Sequence, residues 1–231
     1  MPAPTLVTTC QIVWGQTQNI LAGNATLAYG TTVATQAGDL IVGLQGGEDF
    51  AALGSLTITD GSNSYAVRAQ ETVGSHCALN ISSATDGAGS GSRQLTLNRS
   101  VSTNAERCGG WGLIFRNHGG VGNVIVCTDG VQTGNLTCSA NSSIAVICLD
   151  WGAKDTARSW ATINGNSPTQ TNGVDGDLVH WAAALAYWAD VGSAGTKTIT
   201  LSTPTYVTPN FAAIEILAGA GSTNAIAWVK A

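Results

Sequence analysis

The chain of 231 residues carries only 10% charged side chains and a formal net charge of −5. The usual charged share is about 25%, so its polar surface is built from Ser, Thr, Asn, Gln and Gly, a composition that suits packing against other protein. With no basic cluster and no apolar run near the ~18 residues of a membrane span, composition argues against nucleic-acid and membrane partners. A chain of this length buries roughly 70–75% of its unfolded surface and needs no staple to hold a core.

Met1-Pro-Ala-Pro-Thr5 lacks the positive and apolar regions of a secretory signal, so the expectation is synthesis in the cytoplasm or a chain that is already mature. From there the chain reads as short β-branched runs divided by Gly, Asn, Asp and Ser. Residues 40–44 are a predicted strand entered through Ala37-Gly-Asp39, and 55–59 a second. Asp60-Gly-Ser-Asn63 reads as a hairpin, because Gly accepts positive φ, with 64–68 as the returning strand. Further strands are predicted at 77–82, 94–98, 112–115, 123–127, 144–149, 180–188, 196–201 and 212–217. The stretch 180–188 carries four alanines and could be a helix on propensity alone.

An internal repeat decides for a strand. With the first half shifted by 104 positions, residues 40–44 fall on 144–148, His76 on His180, and 86–97 on 190–201. Near the end the register slips by about three, so that Leu113 meets Ile214. The predicted fold is an all-β, jelly-roll-like antiparallel sandwich of two degenerate pseudo-repeats, 1–120 and 121–231, the second carrying the C-terminal tail. Strand alternation puts Cys77, Leu79 and Ile81, like Trp181, Ala183 and Leu185, on core faces, with His76 and His180 pointing outward.

No residue pattern equips the chain for catalysis. The cysteines Cys10, Cys77, Cys108, Cys127, Cys138 and Cys148 have no zinc or redox spacing and read as buried thiols, although Cys127 and Cys138 could bridge a hairpin. His118, in Asn117-His-Gly-Gly120, reads as a solvated loop residue joining the halves. Asp175-Gly-Asp177 lacks the ligand count of a calcium loop. The Gly-x-Ser-x-Gly at 87–91 lacks a strand-to-helix elbow, so 86–92 and 191–195 read as hairpin loops. Gly119-Gly-Val-Gly122 is too short to cradle a phosphate. No metal or cofactor is implied. Of the seven tryptophans, Trp111 and Trp181 look internal, while Trp151, Trp160 and Trp228 lie near loops or the terminus and are the expected interface anchors.

Three segments carry a family resemblance: Ala37-Gly-Asp-Leu-Ile-Val42 is similar to an AGDLLV strand, Ile58-Thr-Asp-Gly-Ser-Asn-Ser-Tyr65 to a TDSAGNTY hairpin, and 187–201 to a glycine-rich turn followed by a TVT strand. Together, across about 5–218, they resemble a family of β-sandwich structural proteins of phage virions and bacterial surfaces. The six cysteines and the tail 221–231 depart from that pattern. The resemblance implies a tail, fibre or capsid-decoration component with no catalytic residues. The expectation is a virion structural protein that decorates or cements a capsid as a homo-oligomer, its partners being itself and a major capsid protein. The alternatives are a receptor- or carbohydrate-binding tail-fibre module that contacts glycan, or a secreted bacterial surface protein.

Overall fold

A computed structural model describes residues 2–12, 19–20, 26–28, 32–48, 56–71, 77–87, 89–99, 106–128, 130–151, 159–174, 181–203 and 208–220. Every regular element among them is a strand. The first half holds β1 (Thr5–Ile12), β2 (Asn19–Ile20), β3 (Thr26–Ala28), β4 (Val33–Thr35), β5 (Leu40–Glu48), β6 (Leu56–Thr59), β7 (Ala66–Glu71), β8 (Cys77–Thr85), β9 (Gly91–Arg93), β10 (Thr96–Arg99) and β11 (Glu106–Arg116). The second holds β12 (His118–Cys127), β13 (Thr133–Cys138), β14 (Ser143–Trp151), β15 (Ser159–Trp160), β16 (Thr169–Val174), β17 (Trp181–Trp188), β18 (Gly195–Thr203) and β19 (Thr208–Ala218). The turn between them is made at Asn117, whose φ of 53° suits an asparagine.

Both halves have one topology. The large sheet of the first runs β1-β11-β5-β8-β7, and that of the second β12-β19-β14-β17-β16. The small sheets run β3-β10-β6 and β13-β18-β15. In the first half the pair β4-β9 continues the small sheet, so that β3 with β4, and β9 with β10, fill the places of β13 and β18. In each half the last strand enters the large sheet beside the first, β11 between β1 and β5 and β19 between β12 and β14, and the chain crosses between sheets except at β7-β8 and β16-β17, which are successive and paired in the large sheet. This is a jelly roll whose fifth strand joins the larger sheet.

The two large sheets pack face to face with reversed strand order: β7 lies by β12, β8 by β19, and β5 by β14. Phe115 of β11 meets Tyr187 of β17 with ring centroids 5.6 Å apart. The result is four layers, small sheet, large sheet, large sheet, small sheet, as if a dimer had been fused into one chain. Three apolar clusters fill the spaces between layers. The middle one takes Leu40, Val42, Leu44, Leu79, Ile81 and Trp111 from one half and Ile147, Leu149, Leu185 and Ile214 from the other. Each large aliphatic side chain contributes roughly 1.5–3 kcal/mol relative to exposure.

This layering explains the local sequences. Outer strands alternate: in β13, Gly134, Leu136 and Cys138 are buried while Thr133, Asn135 and Thr137 face water. Middle strands have no wet face. Residues 143–150 of β14 are all buried, and an unbroken apolar run results. The alanine-rich stretch is the strand β17, because small side chains buried on both faces override helix propensity.

Four expectations need correction. First, β8 and β17 lack the outward face assigned to them: Ala78, Asn80 and Ser82, like Ala184, Ala186 and Trp188, point into the jelly-roll interiors and are buried. Second, Asp60-Gly61 does not close a hairpin. β6 pairs with β10 and β7 with β8, so the turn carries the chain from the small sheet to the large one. Third, the loops 86–92 and 191–195 make the same kind of crossing, since β17 pairs with β14 whereas β18 pairs with β13. Fourth, the constant shift of 104 fails by one residue at β5. Ladder partners place Ile41, not Leu40, over Ile144, and Leu40 over Ser143. A one-residue slip exchanges the faces of a strand, and only this register keeps Leu40 and Ala145 in the middle layer together. Leu97 over Leu201 and Leu113 over Ile214 match in both pairing and face.

Candidate functional site

Polar side chains gather at one end of the first jelly roll, where the chain crosses between sheets. Asp39, just before β5, accepts from Arg116 Nε at 2.9 Å and Nη2 at 3.1 Å, and from the Gln36 N–H at 2.8 Å. Asp86, just after β8, accepts from the Thr35 hydroxyl and pairs with Arg93 at 3.2 Å. Backbone bonds between Gly38 and Asp86, and between Asp86 and Asp39, tie the two corners. Asp60 caps its own turn, accepting from the N–H groups of Ser62 and Asn63, the Asn63 amide and the Tyr65 hydroxyl. Burial pushes the Asp60 carboxyl up, but these bonds outweigh it and hold the group below the usual aspartate range. His118, expected as a solvated loop residue, instead opens β12. Its Nε2 meets the Gly38 carbonyl at 2.8 Å and its Nδ1 accepts from the Gly120 N–H at 2.9 Å. These groups engage one another, and the cluster reads as corner bracing.

The same end of the second jelly roll is braced by Glu215, which is 1% exposed. It accepts from the Ser139 N–H at 2.6 Å, the Ser142 hydroxyl at 2.7 Å and the Asn123 N–H at 3.0 Å. Gly122 is required here, because its Cβ would sit on the Glu215 carboxylate. That requirement explains one glycine of the 119–122 run, which belongs to a strand. Burial, then Glu215, push the Cys138 thiol up to about 12, with Lys197 acting in the opposite sense. Burial also raises Cys127. Cys127, Cys138 and Cys148 are free thiols, so no bridge joins Cys127 to Cys138. A thiol held this high presents almost no thiolate to act as nucleophile or metal ligand. Among the described residues, no group of three or more His, Cys, Asp or Glu is placed to hold a metal ion.

The expected anchors divide. Trp160 is 5% exposed and belongs to the core of the second jelly roll. It packs edge-on against Trp188 and Phe211 at centroid distances of 6.1 and 5.7 Å. It sits at a strand end, which is why its position in the chain suggested the surface. Trp151 ends β14, paired with Trp181 and Thr208 in the ladder. Trp228, His76, His180 and Asp175-Gly-Asp177 lie outside the described residues. Trp111 is buried as expected.

What the surface offers is uncharged. The outer face of β13 and β18 shows Thr133, Asn135, Thr137, Thr196, Thr198 and Ser202. Among the described residues the exposed large apolar side chains are Val7, Val67, Val126 and Val131. Val7 lies on β1, Val67 on β7 and Val126 on β12, each a lateral strand of a large sheet, and β7 and β12 lie side by side. Sequence reasoning missed them, because a lone valine in a strand carries no sign of whether that strand is central or lateral. An open cleft of about 440 Å³ lies between Asn166, Ser167, Ala189 and Asp190. Comparison with protein-family models, curated proteins and solved structures finds no match to this chain.

Proposed function

We propose that this chain is a non-enzymatic structural subunit of a virion, decorating a capsid surface through contacts with copies of itself and with a major capsid protein. The observation that carries the reading is the set of valines on the lateral strands: Val67 is 49% exposed on β7 and Val126 36% exposed on β12. A lateral strand offers unpaired backbone groups to a neighbour's sheet, and an exposed valine beside them adds apolar contact. β-Bulges interrupt the pairing of β7 between Val67 and Ala69 and of β12 between Val121 and Val124. Such bulges restrain indiscriminate strand addition and favour a partner of matching shape. The uncharged outer faces support the same reading, as do carboxylates committed to bracing and thiols held protonated.

The test is the assembly state of the full chain by light scattering, beside a Val67→Lys/Val126→Lys variant. The expected result is an oligomer at micromolar concentration that the two lysines dissociate, at a cost of under about 0.5 kcal/mol in unfolding, as for surface changes generally. A wild-type chain that stays monomeric at high concentration and is missing from purified particles overturns the proposal.

A further inference from the structure

The chain holds two Asn-Gly pairs, Asn164-Gly165 and Asn172-Gly173, and the fold treats them differently. Asn172-Gly173 lies within β16, opposite Ala184 and Ala183 in the ladder with β17. Asn164-Gly165 makes a two-residue turn whose flanks, Ile163 and Asn166, exchange backbone hydrogen bonds at 3.0 and 2.9 Å. Both turn residues take positive φ, 49° and 78°, the pattern of a type I′ turn. Both are exposed, and nothing lies within 4 Å of the place a Gly165 Cβ would take. Among the described residues the Gly165 N–H donates to no backbone carbonyl.

The Asn164 side chain reaches across to the turn that follows β17. Its Nδ2 donates to the Val191 carbonyl at 2.5 Å, and lies 3.3 Å from where a Gly192 Cβ would stand. Asn166 adds a longer tie, from its Nδ2 to the Asp190 carbonyl at 3.3 Å. Val191 is buried in the same apolar cluster as Trp160, Trp188 and Phe211. The Asn164 amide therefore clasps the loop after Trp160 to the segment that closes this end of the aromatic core.

We propose that Asn164 is a self-modification site, converted through a cyclic imide to aspartate or isoaspartate, and that the conversion releases this clasp. The backbone nitrogen of Gly165 attacks Cγ of Asn164 and forms the new C–N bond. The Cγ–Nδ2 bond breaks, and Nδ2 leaves as ammonia with the proton that Gly165 gives up. One water then opens the imide at either carbonyl, leaving a carboxylate that loses its proton to solvent. Water is the only co-reactant. Gly165 has no side chain to obstruct the attack, and its surroundings are open to solvent. Ring closure here gives up the Nδ2 bond to Val191 but no bond of a strand ladder. At Asn172 the same closure must pull the chain out of its pairing with β17. The product carboxylate only accepts hydrogen bonds, so it cannot replace the donor that held the Val191 carbonyl. The inference goes beyond the assembly reading and stands or falls without it.

The test ages the folded full chain in mildly alkaline buffer at body temperature, beside a free peptide of residues 160–168, and maps both by mass spectrometry. The expected result is a single-dalton gain at Asn164, with isoaspartate present. The rate should be at least about tenfold that at Asn172, where ladder bonds must break first. Asn164→Asp, the product in the fresh chain, should melt at a lower temperature than wild type and alter tryptophan fluorescence. An Asn164 that stays intact in the folded chain while the free peptide converts overturns the proposal. Equal or faster conversion at Asn172 also overturns it, by showing that the turn confers nothing. An Asn164→Asp chain with the melting temperature and fluorescence of wild type overturns the release of the clasp.

Discussion

The two jelly rolls share strand order, crossings and a packed middle layer, yet one interior is filled with rings and the other lined with glycine and amides. Phe211, Trp188 and Trp160 give the second an aromatic core, and Gly110, Ala84 and Ile58 hold the same places in the first. The contrast teaches that the topology does not depend on what fills the sandwich. Both halves lean on the cluster between the large sheets, to which each contributes a whole face. Stability drawn from that shared layer leaves one interior free to hold polar groups that a lone sandwich of this size would tolerate poorly.

The comparison is sharpened most by emptying the filled interior. Phe211→Ala should cost about 3–5 kcal/mol in chemical denaturation, as a large ring leaves a cavity between Trp160 and the sheet. A loss below about 1 kcal/mol would mean that the second interior is not the packed one. The corners give the next effect. Asp39 and Ser142 occupy matching positions before β5 and β14, and each bonds to its half's last strand. Asp39→Ala strips a bidentate partner from the partly exposed Arg116 and the acceptor from Gln36, for about 2 kcal/mol. Ser142→Ala leaves Glu215 with two N–H donors, and about 1 kcal/mol is expected. Equal costs, measured by urea unfolding, would show that the two corners are braced alike.

The smallest effect is a pH dependence confined to the first half. The Asp60 pKa is depressed in the folded chain, so its stabilisation is present above the ordinary aspartate pKa and fades as pH falls through the folded value. An NMR titration should place the Asp60 midpoint below that of an ordinary aspartate, and Asp60→Asn should remove the corresponding loss of stability in acid. A midpoint at or above the ordinary value would remove the turn's hydrogen bonds from the account.

Much of this architecture was legible in the sequence. Short β-branched runs gave the strands, and the repeat identified β17 despite its four alanines. What escaped were relations between strands. Asp60-Gly61 specifies that the chain turns, because Gly61 takes φ of +74°, but turn chemistry is local and does not say which sheet receives the next strand. Gapless alignment matched residue types at β5 and missed the single-residue slip that only ladder partners reveal. Trp160 looked superficial because the large sheet that covers it, through Trp188 and Phe211, is assembled from strands far apart in sequence. Glu215, inside the apolar run 212–217, was the one visible hint of a buried carboxylate with arranged donors. The amide-lined interior was invisible: Gln45 and Asn80 are 35 positions apart and become neighbours only when β5 pairs with β8.

The entry of each last strand beside the first also governs how the molecule is made. β1 finds its ladder partner only when β11 has been synthesised, and β12 waits likewise for β19. Pairings that span a whole half are slow to close, on the millisecond-to-second scale of β-rich topologies. Until β19 arrives, the finished apolar face of the first sheet is covered only in part, by β14 and β17, a state open to association with other nascent chains. Shortening the chain before β19 therefore leaves β12 without its ladder partner and takes Ala212, Ile214 and Ile216 from the layer that covers the first sheet. Such truncations should collect as aggregates, even where every earlier residue is unchanged.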